Sequence, residues 1–435
     1  MTDTSMNYAW NPPEFDLSGS PTAPQVLSTL AGSQPAGNFG RSAKWCSDGS
    51  IALVHCENRE FRTHPVASSE QNSEAANPHP NPKILPQPAA IVDYAWYPTA
   101  KPTDPASYCF VASVRETPVK LLDASDGRLR ASYRIVDHRE RQIAPHSLAF
   151  NPSATRLYCG FQDAVEIFDV NRPGEGTRLP TSPSKKSRDG IKGIISALAF
   201  SPSYETDMYA AGSLAASSGN ILLYSETDGA APIGFVGGGP AAGVTQLHFN
   251  PTRPHILYAA FRRHRTIYSW DLRADVSTPV ALFSPPSSTS GSGSEVAETN
   301  QKRRFDVDVA GRYLGVGDQE GFVNVFDLSM SPGSEGDHPT TSFAPKLRWK
   351  AHNDAIGSVA FHPTQAKVLS VSGSRHFHTE EMESSESSSE EEEGENDDEG
   401  GATGSKSRNV RRSAARPFPV PLDSSIKVWN LGGAI

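Results

Sequence analysis

Along the chain, short apolar segments alternate with polar turns at a period of about fifty residues, the rhythm of a repeat architecture. Each unit opens on an alternating segment that ends in a large apolar side chain, followed after one residue by proline or another turn signal. The copies are Trp45-Cys-Ser-Asp-Gly, Trp96-Tyr-Pro, Phe150-Asn-Pro, Phe200-Ser-Pro, Phe249-Asn-Pro, Val307-Asp-Val-Ala-Gly and Phe361-His-Pro, seven in all. A second apolar segment follows each turn, as in Leu157-Tyr-Cys-Gly. A third ends near an aromatic and an Asp or Asn, as in Ile167-Phe-Asp169, Tyr268-Ser-Trp-Asp271 and Val428-Trp-Asn430. In the first unit the third segment is degenerate, around Phe61. Strand, turn, strand, turn, strand at an even period predicts an all-β, seven-bladed propeller.

Composition agrees with many short strands. The 435 residues include 35 Gly and 35 Pro, which disfavours an all-helical chain. No run approaches the roughly 18 to 20 apolar residues of a membrane helix, and the first 30 residues show no basic segment followed by an apolar one. The expectation is a protein that neither spans a membrane nor is secreted. Four cysteines, Cys46, Cys56, Cys109 and Cys159, lie far apart without a CxxC pair, so no zinc site and no disulfide framework is expected. The net charge of -9 is dominated by residues 380 to 399, which hold twelve acids and no base. Without those twelve, the 49 acidic residues fall to 37 against 40 Lys and Arg, so the folded part is close to neutral and slightly basic, which permits an anionic partner without demanding one.

The last unit matches the WD-repeat pattern, with His352, Ile356-Gly-Ser-Val-Ala-Phe-His-Pro363, Val371-Ser-Gly-Ser374 and Asp423-Ser-Ser-Ile-Lys-Val-Trp429. That pattern places His352, Ser372, Asp423 and Trp429 in a structural hydrogen-bonded tetrad, the Asp fixing the His tautomer. Corresponding positions elsewhere hold Glu116, Gln162, Ser218, His264 and Glu320, so the other blades are expected to rely on packing alone. A His and a carboxylate are also the parts of a catalytic dyad, but no nucleophile or metal-ligand set accompanies them. Polar insertions are expected at 64 to 90, 171 to 190, 275 to 300 and 376 to 416, each too polar to bury. Residues 1–24 read as a flexible segment, and 25–435 as the propeller. Gln25 to Leu30 would supply the outer strand that completes the last blade and leaves the ring without a free edge. The stretch 376–416 reads as an acidic, disordered insertion.

Loops between second and third strands, and those leading into each blade, open on one face. There they bring Arg115, Arg262, Arg263, Lys302, Arg303, Arg304 and Arg375, candidate contacts to RNA because a guanidinium grips phosphate through two hydrogen bonds and stacks on unpaired bases. The acidic insertion is tethered at the same rim and would compete with nucleic acid. Within it Ser387, Ser388 and Ser389 each have Glu three residues on, which resembles casein kinase sites. There is no Gly-rich phosphate loop after a strand, no HExxH and no GxSxG, so no enzyme, cofactor, metal or small-molecule substrate is expected.

More specific segments are Asn38-Phe-Gly-Arg-Ser-Ala-Lys-Trp45, Asp93-Tyr-Ala-Trp-Tyr97, Ala112-Ser-Val-Arg-Glu-Thr-Pro118, Gly127-Arg-Leu-Arg-Ala-Ser-Tyr133, His146-Ser-Leu-Ala-Phe-Asn-Pro152 and Thr299-Asn-Gln-Lys-Arg-Arg-Phe-Asp306. Together they resemble the telomerase Cajal body protein family, in its fungal-type form, over about residues 38 to 376 plus the last strand. The resemblance implies a non-catalytic nuclear adaptor, in Cajal bodies or nucleoplasm with a cytoplasmic share as well, that binds small nuclear or Cajal body RNA and meets ribonucleoprotein proteins. For fungal-type relatives it implies pre-mRNA splicing in place of telomerase. The alternative is a propeller scaffold that binds splicing or assembly proteins without touching RNA.

Overall fold

A computed structural model describes residues 11 to 432 except 22, 31–36, 67–81, 185, 188, 228, 230, 287–298, 330–339 and 378–418. All of its regular elements are strands, arranged as seven antiparallel sheets of four strands each, one of them extended by a fifth. The seven inner strands begin the blades in order: Gly40–Trp45, Ile91–Trp96, Ser147–Phe150, Ile195–Phe200, Val244–Phe249, Asp306–Val307 and Ile356–Phe361. They correspond one to one with the seven sequence copies. Blade 7 takes its outer strand from the start of the chain, Gln25–Thr29, which pairs antiparallel with Ser425–Asn430.

Apolar side chains on the strand faces pack between neighbouring blades, giving seven clusters, one per junction. Between blades 1 and 2, for example, Phe61 meets Phe110 edge to face at 4.9 Å and Trp96 caps the layer. Each such side chain, fully buried, contributes about 1.5 to 3 kcal/mol.

Packing is not alone, contrary to the expectation for the blades that lack a tetrad. Every junction also carries a hydrogen bond between an inner-strand side chain and the next inner strand's backbone. Ala43 N donates to Ser358 Oγ (2.8 Å), Lys44 Nζ to Tyr94 O (2.6 Å), Leu148 N to Asp93 Oδ2 (2.9 Å) and Ser147 Oγ to Ile195 O (2.8 Å). Ser196 Oγ donates to Val244 O (2.6 Å), Phe305 N to Gln246 Oε1 (3.0 Å) and Phe361 N to Asp306 Oδ2 (2.8 Å), completing the ring. Bulges at Gly40/Ser42, Ile91/Asp93, Ile195/Ala197, Val244/Gln246 and Ile356/Ser358 re-aim these side chains out of the regular pleat.

On the opposite face, the residue between aromatic and proline does similar work. Asn250, in Phe249-Asn-Pro, accepts from Thr252 N and Arg253 N through Oδ1 and donates to Gly311 O of blade 6. Gly311 has φ +66°, and a Cβ there would lie 2.1 Å from Asn250 Oδ1, so only glycine fits.

Three of the expected insertions contain structure. Lys83–Pro86, Thr177–Pro180 and Ala281–Phe283 are outer strands of blades 1, 3 and 5. They are short, and the first two lie at sheet edges and alternate few apolar residues, but Leu85 and Phe283 are buried and anchor the first and the third. Thr341–Phe343 lies parallel to Ala281–Phe283 as the fifth strand of blade 5. Ahead of the closing strand, Phe15 and Leu17 are buried in the cluster that includes Trp349, Trp429 and Leu431, Phe15 meeting Phe361 edge to face at 5.2 Å, and Asp16 N donates to Leu431 O at 2.7 Å. That part of the segment expected to be flexible is therefore docked by two apolar anchors. Ser387, Ser388 and Ser389 lie outside the described residues.

Candidate functional site

The tetrad forms in blade 7 with one correction. His352 Nε2 meets Ser370 Oγ at 2.7 Å, and Trp429 Nε1 donates to that same hydroxyl at 2.9 Å. Ser370, not Ser372, is thus the bridging serine. Both lie on one face of the strand, but Ser370 sits a step further in, beside Trp429, while Ser372 at the strand end donates to Asp423 O at 3.3 Å. His352 Nδ1 lies 3.0 Å from Ser425 Oγ and 3.5 Å from Asp423 Oδ2. Burial holds the imidazole below its usual pKa against the pull of Asp423, so it is neutral at pH 7. Burial opposes ionisation of Asp423 too, but hydrogen bonds from His352, Ser425 and Asn353 N outweigh it and hold the carboxyl well below its ordinary range.

A second Ser-His-Asp group stands nearby, and its geometry is that of a staple. Ser374 Oγ donates to Asp354 Oδ1 at 2.6 Å, and His376 Nε2 lies 2.8 Å from Ser374 Oγ and 3.0 Å from Asp354 Oδ1. One imidazole nitrogen serves both partners, whereas a relay needs the carboxylate on one nitrogen and the nucleophile on the other. Asp354 Oδ2 also accepts from Ser374 N and Leu422 N, and Val420 N donates to His376 O. The two chain ends flanking residues 378–418 are pinned side by side on this face.

That face bears the basic residues expected from the loops. Arg115 follows the second strand of blade 2, Arg262 and Arg263 that of blade 5, and Arg375 that of blade 7; Lys302, Arg303 and Arg304 lead into blade 6. Arg262 and Arg263 are exposed and both donate through Nε to Asn300 Oδ1, at 3.2 and 2.7 Å. Asn300 is neutral, so this contact orders two guanidiniums without cancelling their charge. Arg303 reaches His264 O at 3.2 Å in the same corner. Arg375 is ion-paired with Glu57.

Arg304 departs from the expected rim. It turns into the central channel, where its guanidinium donates to Thr245 O at 3.1 Å and meets Asp93, on blade 2, at 3.4 Å. The channel widens below it into a cavity of about 470 Å³ whose walls include Lys44, Gln246, His248 and Asp306. Burial and the Arg304 charge push the Lys302 ammonium down to about 8. Burial, then the charges of Lys302 and Arg115, hold His146 below its usual value. Burial, then Arg41, Arg304 and Lys44, push His55 down to about 3. Cations from several blades therefore lie close enough on this side of the ring to disfavour one another's charge and that of the neighbouring imidazoles.

Sequence reasoning missed Arg41. The bulge between Gly40 and Ser42 leaves it outside the strand register with 42% of its side chain exposed, 3.4 Å from Glu57. Its signal was an Arg placed among small residues, Gly40 and Ser42, at a strand start.

No family model matches the chain. Telomerase Cajal body protein 1 of Rattus norvegicus is 32% identical over 373 residues, covering 84% of this chain and 65% of that protein. Telomerase Cajal body protein 1 of Homo sapiens is 34% identical over 389 residues, covering 88% of this chain and 64% of that protein. The Telomerase Cajal body protein 1 homolog of Drosophila melanogaster is 26% identical over 359 residues, covering 81% and 60%. The chain thus spans somewhat less than two thirds of the length of these relatives.

Proposed function

The chain belongs to the telomerase Cajal body protein family, and from that premise we propose that it is a non-catalytic, RNA-binding propeller that serves as an adaptor for small nuclear ribonucleoproteins. Its place is the nucleus, including the Cajal bodies for which its relatives are named, and its RNA is of the small nuclear or Cajal body class, in telomerase or in splicing. The observation that carries the reading is the gathering of Arg41, Arg115, Arg262, Arg263, Lys302 and Arg303 at strand-end and loop positions of one face, contributed by four blades. Phosphates of a single-stranded loop would be gripped by the guanidiniums, giving affinity, and its unpaired bases would face the loop side chains, giving selectivity. The acidic run at 380–399 is tethered by its pinned ends at that face and would compete for the same cations.

A protein-scaffold reading has its own observation. The outer strand of blade 4, Pro232–Val236, exposes Ile233 and Phe235 at 53% and 51%, an apolar edge suited to another chain. Ultraviolet crosslinking in cells, with sequencing of the attached RNA and mapping of the crosslinked peptides, separates the two. The expected result is enrichment of small nuclear RNAs, with crosslinks in 262–265 and 299–304. Recovery of proteins without RNA would favour the scaffold.

A further inference from the structure

A second cavity, of about 670 Å³, opens on the basic face beside the channel, between blades 6, 7 and 1. Arg41, Glu57, Thr299, Asn300, Gln319 and Arg375 are among the residues of its walls. Two polar atoms there close no hydrogen bond. Glu57 Oε1 accepts from Arg375 Nε at 2.7 Å, but Oε2, though shielded from water, closes no hydrogen bond and only lies 3.4 Å from Arg41 Nε. Gln319 Oε1 accepts from Thr299 N at 3.2 Å, whereas its Nε2 donor is shielded and unpaired. A carboxylate acceptor and an amide donor thus share the wall of an open cavity framed by two guanidiniums. Buried polar atoms are normally satisfied, and a ligand that pairs them recovers a desolvation cost already incurred.

We propose that this cavity reads one unpaired guanine of the bound RNA, a deepening that rests on the RNA-binding reading above. Guanine carries two adjacent N–H donors, N1–H and the N2 amino group, which match both oxygens of one carboxylate, and beside them the O6 acceptor, which matches an amide donor. No other standard base offers that row of two donors and an acceptor on its pairing edge. Arg375 covers Glu57 in the free protein, and its side chain is 55% exposed, so it can leave. The guanine edge takes its place on Glu57, Gln319 Nε2 donates to O6, and the released guanidinium turns to the neighbouring phosphate or stacks on the base.

The test is a base series on the full-length protein. Five-nucleotide RNAs made of uridine, with guanosine, inosine, adenosine or uridine at the centre, are titrated by fluorescence anisotropy. The guanosine oligomer is expected to bind about tenfold tighter than the adenosine and uridine ones, with inosine, which lacks the N2 amino group, between them. Glu57→Gln should erase the preference for guanosine over adenosine and uridine at the centre, while the all-uridine oligomer binds no more weakly than before, because the change frees Arg41 and Arg375 rather than removing a cation. Equal affinity for all four centres would overturn the guanine pocket while leaving RNA binding in place, and would leave the two wall atoms to water. A preference that survives Glu57→Gln would overturn it as well. If none of the oligomers binds, the RNA-binding reading itself fails, a distinct outcome. The base series on the unaltered protein decides even if Glu57→Gln does not fold.

Discussion

Trp429→Ala lowers the stability of the protein by about 3 to 5 kcal/mol. Trp429 is 4% exposed and meets Trp349 edge to face at 5.8 Å, in the cluster that also takes in Phe15, Leu17 and Leu431. Truncation empties that cluster and removes the donor to Ser370, which also serves His352. The damage falls on the blade where the two ends of the chain meet, so it weakens closure of the ring as well as one junction. Trp429→Phe keeps much of the volume and loses only the indole N–H, and should cost less, about 1 to 2 kcal/mol. Denaturant unfolding of the three proteins measures both. A loss below about 1 kcal/mol for the alanine variant would show that the closing blade is not packed as described.

The next largest effect belongs to Asp93→Ala, expected to cost about 3 kcal/mol. The carboxylate accepts from Leu148 N at the junction of blades 2 and 3 and faces Arg304 across the channel, and only 11% of its side chain is exposed. Its removal orphans a backbone donor and leaves a guanidinium, itself 22% exposed, without its counter-charge. Arg304→Met in the same background should restore part of the loss, because the stranded charge then disappears. Additive losses in that double-mutant cycle would mean that the two residues do not act as a pair. The same variants separate structure from recognition: Arg304→Met should lower stability while changing RNA affinity less than changes at Arg262 and Arg263.

How much of this could be read in the sequence depends on what each position buries. The inner three strands of each blade are covered on both faces, so their apolar runs repeat plainly, and the seven copies, six ending in an aromatic and one in Val307, correspond to seven blades. Outer strands such as Thr177–Pro180 have one face in solvent and three to five residues, too few to stand out from polar loops. The serine of the tetrad was misread because Ser370 and Ser372 share a face, and only depth in the sheet decides which one reaches Trp429.

The junction hydrogen bonds were hidden by chemistry, since Asp93, Ser147, Gln246 and Ser358 have no common residue type. They do share a place, three residues before Trp96, Phe150, Phe249 and Phe361. Counting three back from Val307 gives Arg304, so the repeat itself assigns that arginine to the channel wall and not to the rim. Arg262 and Arg263 obey no such period and follow a strand end, which is why loop position alone placed them on the basic face. The guanine cavity was not legible at all, because Glu57, Gln319 and Arg375 come from three blades and meet only once the ring is closed.

The central claim is that the face bearing Arg262 and Arg263 holds RNA, and the most direct measurement is the salt dependence of RNA affinity for the unaltered protein and for Arg262→Glu/Arg263→Glu. The charge-reversed protein should bind more weakly, and the slope of log affinity against log salt should flatten by about 0.7 for each phosphate of a single strand that is no longer neutralised. In the same titration, deletion of residues 379–416 should tighten binding by removing the tethered acidic competitor. A charge-reversed protein that binds as tightly as the original, with the same slope, would contradict the assignment of this face.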